Sequence, residues 1–337
     1  MAHNVIVSCE SYSLTDNEKS LFADLQPWGL ILFSRNIENP SQVKKLVEQC
    51  RQAVGRNDML VFVDQEGGRV SRLPNSYWRV PPSPTKFAQM YFSDQTSAKR
   101  ACYLNALLTA IELKSVGINV NCAPMLDLPQ ANADAIVTER ALGNQPSQVI
   151  DLGTEIINGF KAAGVAPVIK HMPGHGRATC DSHLSLPIVD TTLQALEEWD
   201  FLPFKAFANE AMAMTAHIVF NKIDNKVATQ SDVIINDIMR NRIGFNGIIM
   251  TDDVNMHALT GNIQSRVRAS LAAGCDIALH CSGKFEEMKA LIDVTSELSG
   301  QSLKRAKEAE KLAFANAGEH DEQSIKDELN SLLNNSL

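Results

Sequence analysis

Short apolar runs alternate with longer amphipathic stretches along most of this chain. The runs predict strands at Val5–Val7, Leu30–Phe33, Leu60–Asp64, Val120–Met125, Val168–His171, Ala213–His217, Ile248–Asp252 and Ile277–Cys281. Between them, apolar residues recur at helical spacing in Pro40–Val54, Asp94–Ser115, Gln148–Ala163, Thr192–Asn209, Ser231–Ile243 and Ile263–Ala273. Eight strands separated by helices predict a parallel sheet, and eight such units closing on themselves make a (β/α)8 barrel of the TIM type. The rival is an open doubly wound sheet. No GxGxxG follows an early strand, so its dinucleotide-binding form has no support.

No Gly-, Pro- or Ser-rich linker divides the 337 residues. The expected organisation is one barrel domain over residues 1–300, with a helical extension over 301–337 packed on the barrel or trailing from it. Hydrophobic residues make up 45% and charged residues 21%, which suits a globular chain with a sizeable core. A formal charge of −8 argues against a binder of nucleic acid or of a membrane surface, which would need a basic face, but leaves room for a local positive pocket. The first residues, MAHNVIVSCESYSL, place no basic segment ahead of a long apolar one, and no later run reaches the ~18 apolar residues of a membrane span. The seven cysteines lack metal-binding spacing and read as reduced thiols, so the expected location is the cytoplasm; the expected state is a monomer.

Ionisable residues gather at the carboxyl ends of the predicted strands: Asp64, Asp127, Lys170 with His171, His217 and Asp252. Barrel enzymes build their sites on that face. A charge buried there without a partner would cost several kcal/mol, so five such strand ends imply a shared purpose. The densest stretch is KHMPGHGRATCDSH, Lys170 to His183, directly after an apolar strand.

Asp252 ends the strand GIIMT and precedes Asp253. Neighbouring side chains of an extended segment point to opposite faces, so only one of the two can look into the barrel mouth. There Asp252 could attack an anomeric carbon, as in retaining glycosidases; the plainer reading has it bind substrate while Asp253 caps the next helix. In Asp181-Ser182-His183 the first and third side chains share a face, so the carboxylate can fix the imidazole's tautomer and raise its pKa. The alternative is an Asx turn beside an incidental surface histidine. Lys170 and His171 are suited to sugar hydroxyls, as are Asp64 and Arg72 in VDQEGGRVSRL, whose Gly-Gly lacks the GK[ST] of a phosphate loop. His175 is expected to structure its loop, with Gly174 and Gly176 as hinges.

Together these motifs resemble those of the β-N-acetylhexosaminidases of glycoside hydrolase family 3, and more closely the single-domain bacterial enzymes of peptidoglycan recycling. DQEGGRVxR is whole from Asp64 to Arg72, KHFPGHG appears as KHMPGHG, and DSH and [ST]DD-hydrophobic-x-M stand at Asp181–His183 and Thr251–Met256. Order and spacing fit over roughly residues 5 to 290. The resemblance implies Asp252 as nucleophile, His183 as acid/base and Asp181 as its polarising partner. It implies Asp64, Arg72, Arg140, Lys170 and His171 around an N-acetylglucosamine ring, with no cofactor and no metal. A histidine in the acid/base position brings no negative charge to the leaving-group side, which suits an anionic substrate.

Two positions depart from the family pattern. Met172 stands for Phe, and the family's G-x-R-S reads Thr138-Glu139-Arg140-Ala141, keeping only the arginine. The implied reaction is hydrolysis of terminal N-acetylglucosamine from 1,6-anhydro-N-acetylmuramic acid, with or without its peptide. Phosphorolysis at the same site is one alternative. A metal-dependent hydrolase using His171, His175, Asp181, His183 and His217 is another, although no HExxH or HxH spacing supports it. A non-catalytic sugar binder is the third; it would have no need of Asp252 and the Asp181–His183 pair together.

Overall fold

Parallel strands form the centre of the molecule in the computed structural model, which describes residues 1–131, 133–180 and 185–334. They are β1 (His3–Val7), β2 (Pro27–Leu32), β3 (Leu60–Val63), β4 (Val120–Asn121), β5 (Ala166–Pro167 and, after Val168, Ile169–Met172), β6 (Met212–Thr215), β7 (Ile248–Asp253) and β8 (Ile277–Leu279). β1 pairs with both β2 and β8. The first segment of β5 pairs with β4 and the second with β6, so the two ends of the sheet meet in one strand and the barrel closes. The expected (β/α)8 architecture is the observed one. A small parallel pair, Ile188–Val189 with Val219–Phe220, stands apart from it.

The strands are apolar on both faces because both are covered. Ile6, Ile31, Phe62, Val120, Met214, Met250 and Leu279 fill the interior. Their neighbours Val5, Val7, Leu30, Leu32, Val61 and Val63 pack outward with residues of the surrounding helices. Helix Gly300–Ala313 turns fully buried Ala306, Ala309 and Ala313 into the interior cluster. Alanines let its backbone approach closely, and Trp28 Nε1 donates to Glu310 Oε1 at 2.9 Å. The last helix, Glu322–Asn334, buries Leu329 and forms a bidentate pair between Glu328 and Arg100.

Pro40–Val54 and Ile263–Ala273 are helices with the expected bounds. Asn39 and Asn262 cap their first turns, and Gly55 (φ 65°) and Gly274 (φ 116°) end them in the left-handed region. Elsewhere the pattern misled. Asp16–Leu25 and Pro84–Ser93 are additional helices, and Thr192–Asn209 breaks into Leu193–Glu198 and Leu202–Ala206. Val233–Arg242 is a π-helix, closed by a bond from Ile243 N–H to the Ile238 carbonyl. All seven cysteines are free, and six are buried; Cys180 is half-buried. No described helix is long and apolar enough to cross a membrane.

Candidate active site

The carboxyl ends of the strands open on a hollow of ≈ 320 Å³, within the size range of small-molecule sites. Asp64, Arg72, Arg140, Lys170, His171 and Asp252 all line it. They arrive from the end of β3, the loop beyond it, the loop after β4, β5 and β7.

The inner end is a charged network. Lys170 Nζ lies 2.8 Å from Asp64 Oδ1 and 2.6 Å from Glu66 Oε1. Arg140 grips Glu66 with both arms of its fork, Nη2 to Oε1 at 2.7 Å and Nε to Oε2 at 2.9 Å. Burial would raise the Glu66 carboxyl, but Arg140 and Lys170 overcome it and hold the group well below the usual carboxylate range. Burial would likewise lower Lys170; Asp64 and then Glu66 keep it above its ordinary value. Both partners therefore remain charged at neutral pH. Arg72 makes a looser, 3.6 Å pair with Asp64, stands over the Phe33 ring and has its own N–H taken by Gln65 Oε1.

The turn that places Glu66 depends on glycine. Gly67 has φ 102°, and a Cβ there would run into the Pro82 carbonyl. Gln65 is tied to β4 by two hydrogen bonds with Asn121. Arg140 keeps its place despite its altered neighbours: Ala141 is buried with Met125 and Val137, so a small apolar residue fits, and Glu139 pairs with Arg69 at 2.8 Å. Met172 is fully buried in the cluster that holds Phe201 and Phe204.

Asp252 also lines the hollow, and its Oδ1 accepts from the Asp253 N–H at 2.8 Å. The Asp252 N–H donates to Thr215 Oγ1 at 3.3 Å, and Thr215 bonds Thr229 at 2.8 Å. Thr229 also bonds His217 Nδ1 at 2.7 Å, while His217 Nε2 donates to the Asp253 carbonyl at 3.0 Å. Asp253 stitches two strand ends together, Oδ1 accepting from Asn255 and Cys281 N–H. Burial, reinforced by the charge of Asp252, pushes its carboxyl up to about 6. Asp253 thus caps a turn and bridges to the chain after β8, where a helix cap was the alternative raised by the sequence.

Asp127 organises the loop after β5. It accepts from His171 Nδ1 at 2.7 Å and from the His175 N–H at 2.6 Å. Burial opposes its ionisation, yet the interaction with His171 keeps its carboxyl below the ordinary value. His175 is buried, and burial followed by the proximity of His171 lowers its pKa to about 4. Gly176 lies so close to Leu128 that a Cβ would strike that residue's backbone, so close packing requires the glycine there. The Gly176 and Ala178 carbonyls accept from Gln130 and Asp134 N–H, which pins the segment up to Ala178. Asp181 and His183 lie outside the described residues.

Glu66 and Asp127 are the residues whose parts sequence reasoning missed. The signal was present for both: Glu66 in the DQEGGR run, and Asp127 at a strand end. As for a metal shell, no group of three or more His, Cys, Asp or Glu among the described residues is arranged to hold an ion.

Residues 5–312 match the model of the glycosyl hydrolase family 3 N-terminal domain. A β-hexosaminidase of Pseudomonas aeruginosa is 36% identical over 281 residues, covering 82% of each chain. One from Alkalilimnicola ehrlichii is 35% identical over 282 residues, covering 82% of this chain and 80% of that one. Among solved structures, NagZ from Neisseria gonorrhoeae in complex with N-trifluoroacetyl-D-glucosamine superposes with a TM-score of 0.88 at 30% identity, covering 100% and 98% of the two chains.

Proposed function

The chain belongs to glycosyl hydrolase family 3 and is a glycoside hydrolase; from that premise we propose that it is a retaining exo-β-N-acetylglucosaminidase. Asp252 attacks the anomeric carbon while His183, oriented by Asp181, protonates the departing oxygen. A water deprotonated by His183 then displaces Asp252 from the covalent glycosyl-enzyme, and the sugar leaves with its configuration retained. Asp64, Arg72, Arg140, Lys170 and His171 hold the N-acetylglucosamine ring. The substrate is N-acetylglucosamine linked to 1,6-anhydro-N-acetylmuramic acid, with or without peptide. The enzyme works as a cytoplasmic monomer, the barrel of residues 1–300 and the helices of 301–337 serving one site.

One observation carries this reading: Asp252, near the carboxyl end of β7, shares a single hollow with five sugar-suited side chains drawn from separate parts of the chain. The test is release of 4-nitrophenol from its N-acetyl-β-glucosaminide, with the new anomer followed by NMR. Turnover giving β-anomer first is expected, with free N-acetylglucosamine as product in phosphate buffer as well. An α-anomer first, a 1-phosphate product, or no release by the wild type would each overturn it.

A further inference from the structure

Glu66 occupies a position where a neutral side chain would hold part of the same network. It is almost wholly buried, and burying a carboxylate is costly unless its charge is used. An amide of the same length could still accept from Lys170 and from one arm of Arg140. The lining of the hollow is charge-balanced, with four carboxylates and four lysine or arginine cations among the described residues. Around Glu66 the balance is local, two cations (Arg140, Lys170) against two anions (Asp64, Glu66) within hydrogen-bond distance, with Arg72 only in a looser 3.6 Å pair with Asp64.

We propose that Glu66 is a positioning residue that fixes the charge selectivity of the hollow, cancelling the field of Arg140 and Lys170 so that an uncharged ring is accepted and an acidic ring refused. This rests on the sugar-binding reading above. Without the Glu66 charge, the inner end carries a net positive charge in a partly buried space, where one unpaired charge a few ångströms from a ligand carboxylate changes affinity by about tenfold or more. Loss of Arg140 leaves the opposite excess.

The experiment measures dissociation constants by NMR titration of the full chain with three sugars: N-acetylglucosamine (neutral), glucuronate (acidic) and glucosamine (cationic). Wild type should bind N-acetylglucosamine at least tenfold tighter than glucuronate. In Glu66→Gln that preference should fall by about tenfold or more, whereas in Arg140→Gln glucuronate should weaken further and glucosamine gain. If Glu66→Gln does not fold, Arg140→Gln carries the same test with opposite sign. Affinities that weaken together, with their ratios within twofold of wild type, overturn the inference and leave Glu66 a structural group. Failure of the wild type to bind N-acetylglucosamine at all would instead count against the proposed function.

Discussion

Lys170 Nζ sits 2.6 Å from Glu66 Oε1, both side chains almost wholly withdrawn from water. Removing one partner of such a pair leaves an uncompensated charge, at a cost of about 3–5 kcal/mol. Glu66 still keeps Arg140, so Lys170→Met should lie near the lower end, about 3 kcal/mol, read from urea unfolding. A loss below about 1 kcal/mol would mean that the network relaxes around the gap.

Thr229 is the hub beneath Asp252, bonding Thr215 and His217. Thr229→Val keeps the shape and removes the hydroxyl. It should lower kcat about tenfold, leave KM within twofold, and cost about 1–3 kcal/mol for the polar atoms left unpaired. An unchanged kcat would show that the strand end holds Asp252 without this support.

Two buried histidines and one aspartate oppose each other in the acid response. His175 and His280 are each held near 4 by burial, against an ordinary value of 6.5. Between those values the unfolded chain binds the protons, so stability falls as pH drops from about 6.5 towards 4, by about 3 kcal/mol per residue at full effect. Asp253 works the other way. Raised to about 6, it binds a proton in the fold before the unfolded chain does, and stability falls as pH rises from about 4 to 6. Two outweigh one, so the melting temperature should decline on acidification below pH 6. Asp253→Asn should stabilise the protein at pH 7.5 more than at pH 4.5; equal shifts at both would contradict the role of burial at Asp253.

The periodicity of the sequence carried the barrel because the strands are apolar on both faces, as LVFV and WGLIL are, and helices such as Pro40–Val54 have one apolar stripe. It failed where another force decides. Pro84–Ser93 lies beyond a proline-rich stretch, and Trp199–Asp200 interrupts a stripe that runs on through Thr192–Asn209. Strand ends pointed to Asp64, Lys170 and Asp252 because ionisable groups rarely follow apolar runs by chance. Glu66 was hidden because its meaning lies in Arg140 and Lys170, which reach it from remote segments. Asp127 was visible as a strand end, but its bonds to His171 and the His175 N–H exist only once the loop has folded back.

Gly67→Ala tests the turn that presents Glu66. With φ at 102° and the Pro82 carbonyl in the way, alanine should destabilise the fold by more than about 1 kcal/mol and raise KM through the displaced Glu66 network. A variant as stable as wild type, with normal KM, would show that the turn tolerates a side chain.

Incubation with a 5-fluoro N-acetylglucosaminyl fluoride, which keeps the C2 acetamido group, followed by peptide mapping of the inactivated protein, bears most directly on the central claim. The expected result is a single sugar attached to Asp252, on the peptide spanning Thr251–Met256, and no labelling of Asp252→Asn. A label on another residue, or continued trapping by Asp252→Asn, would contradict the account.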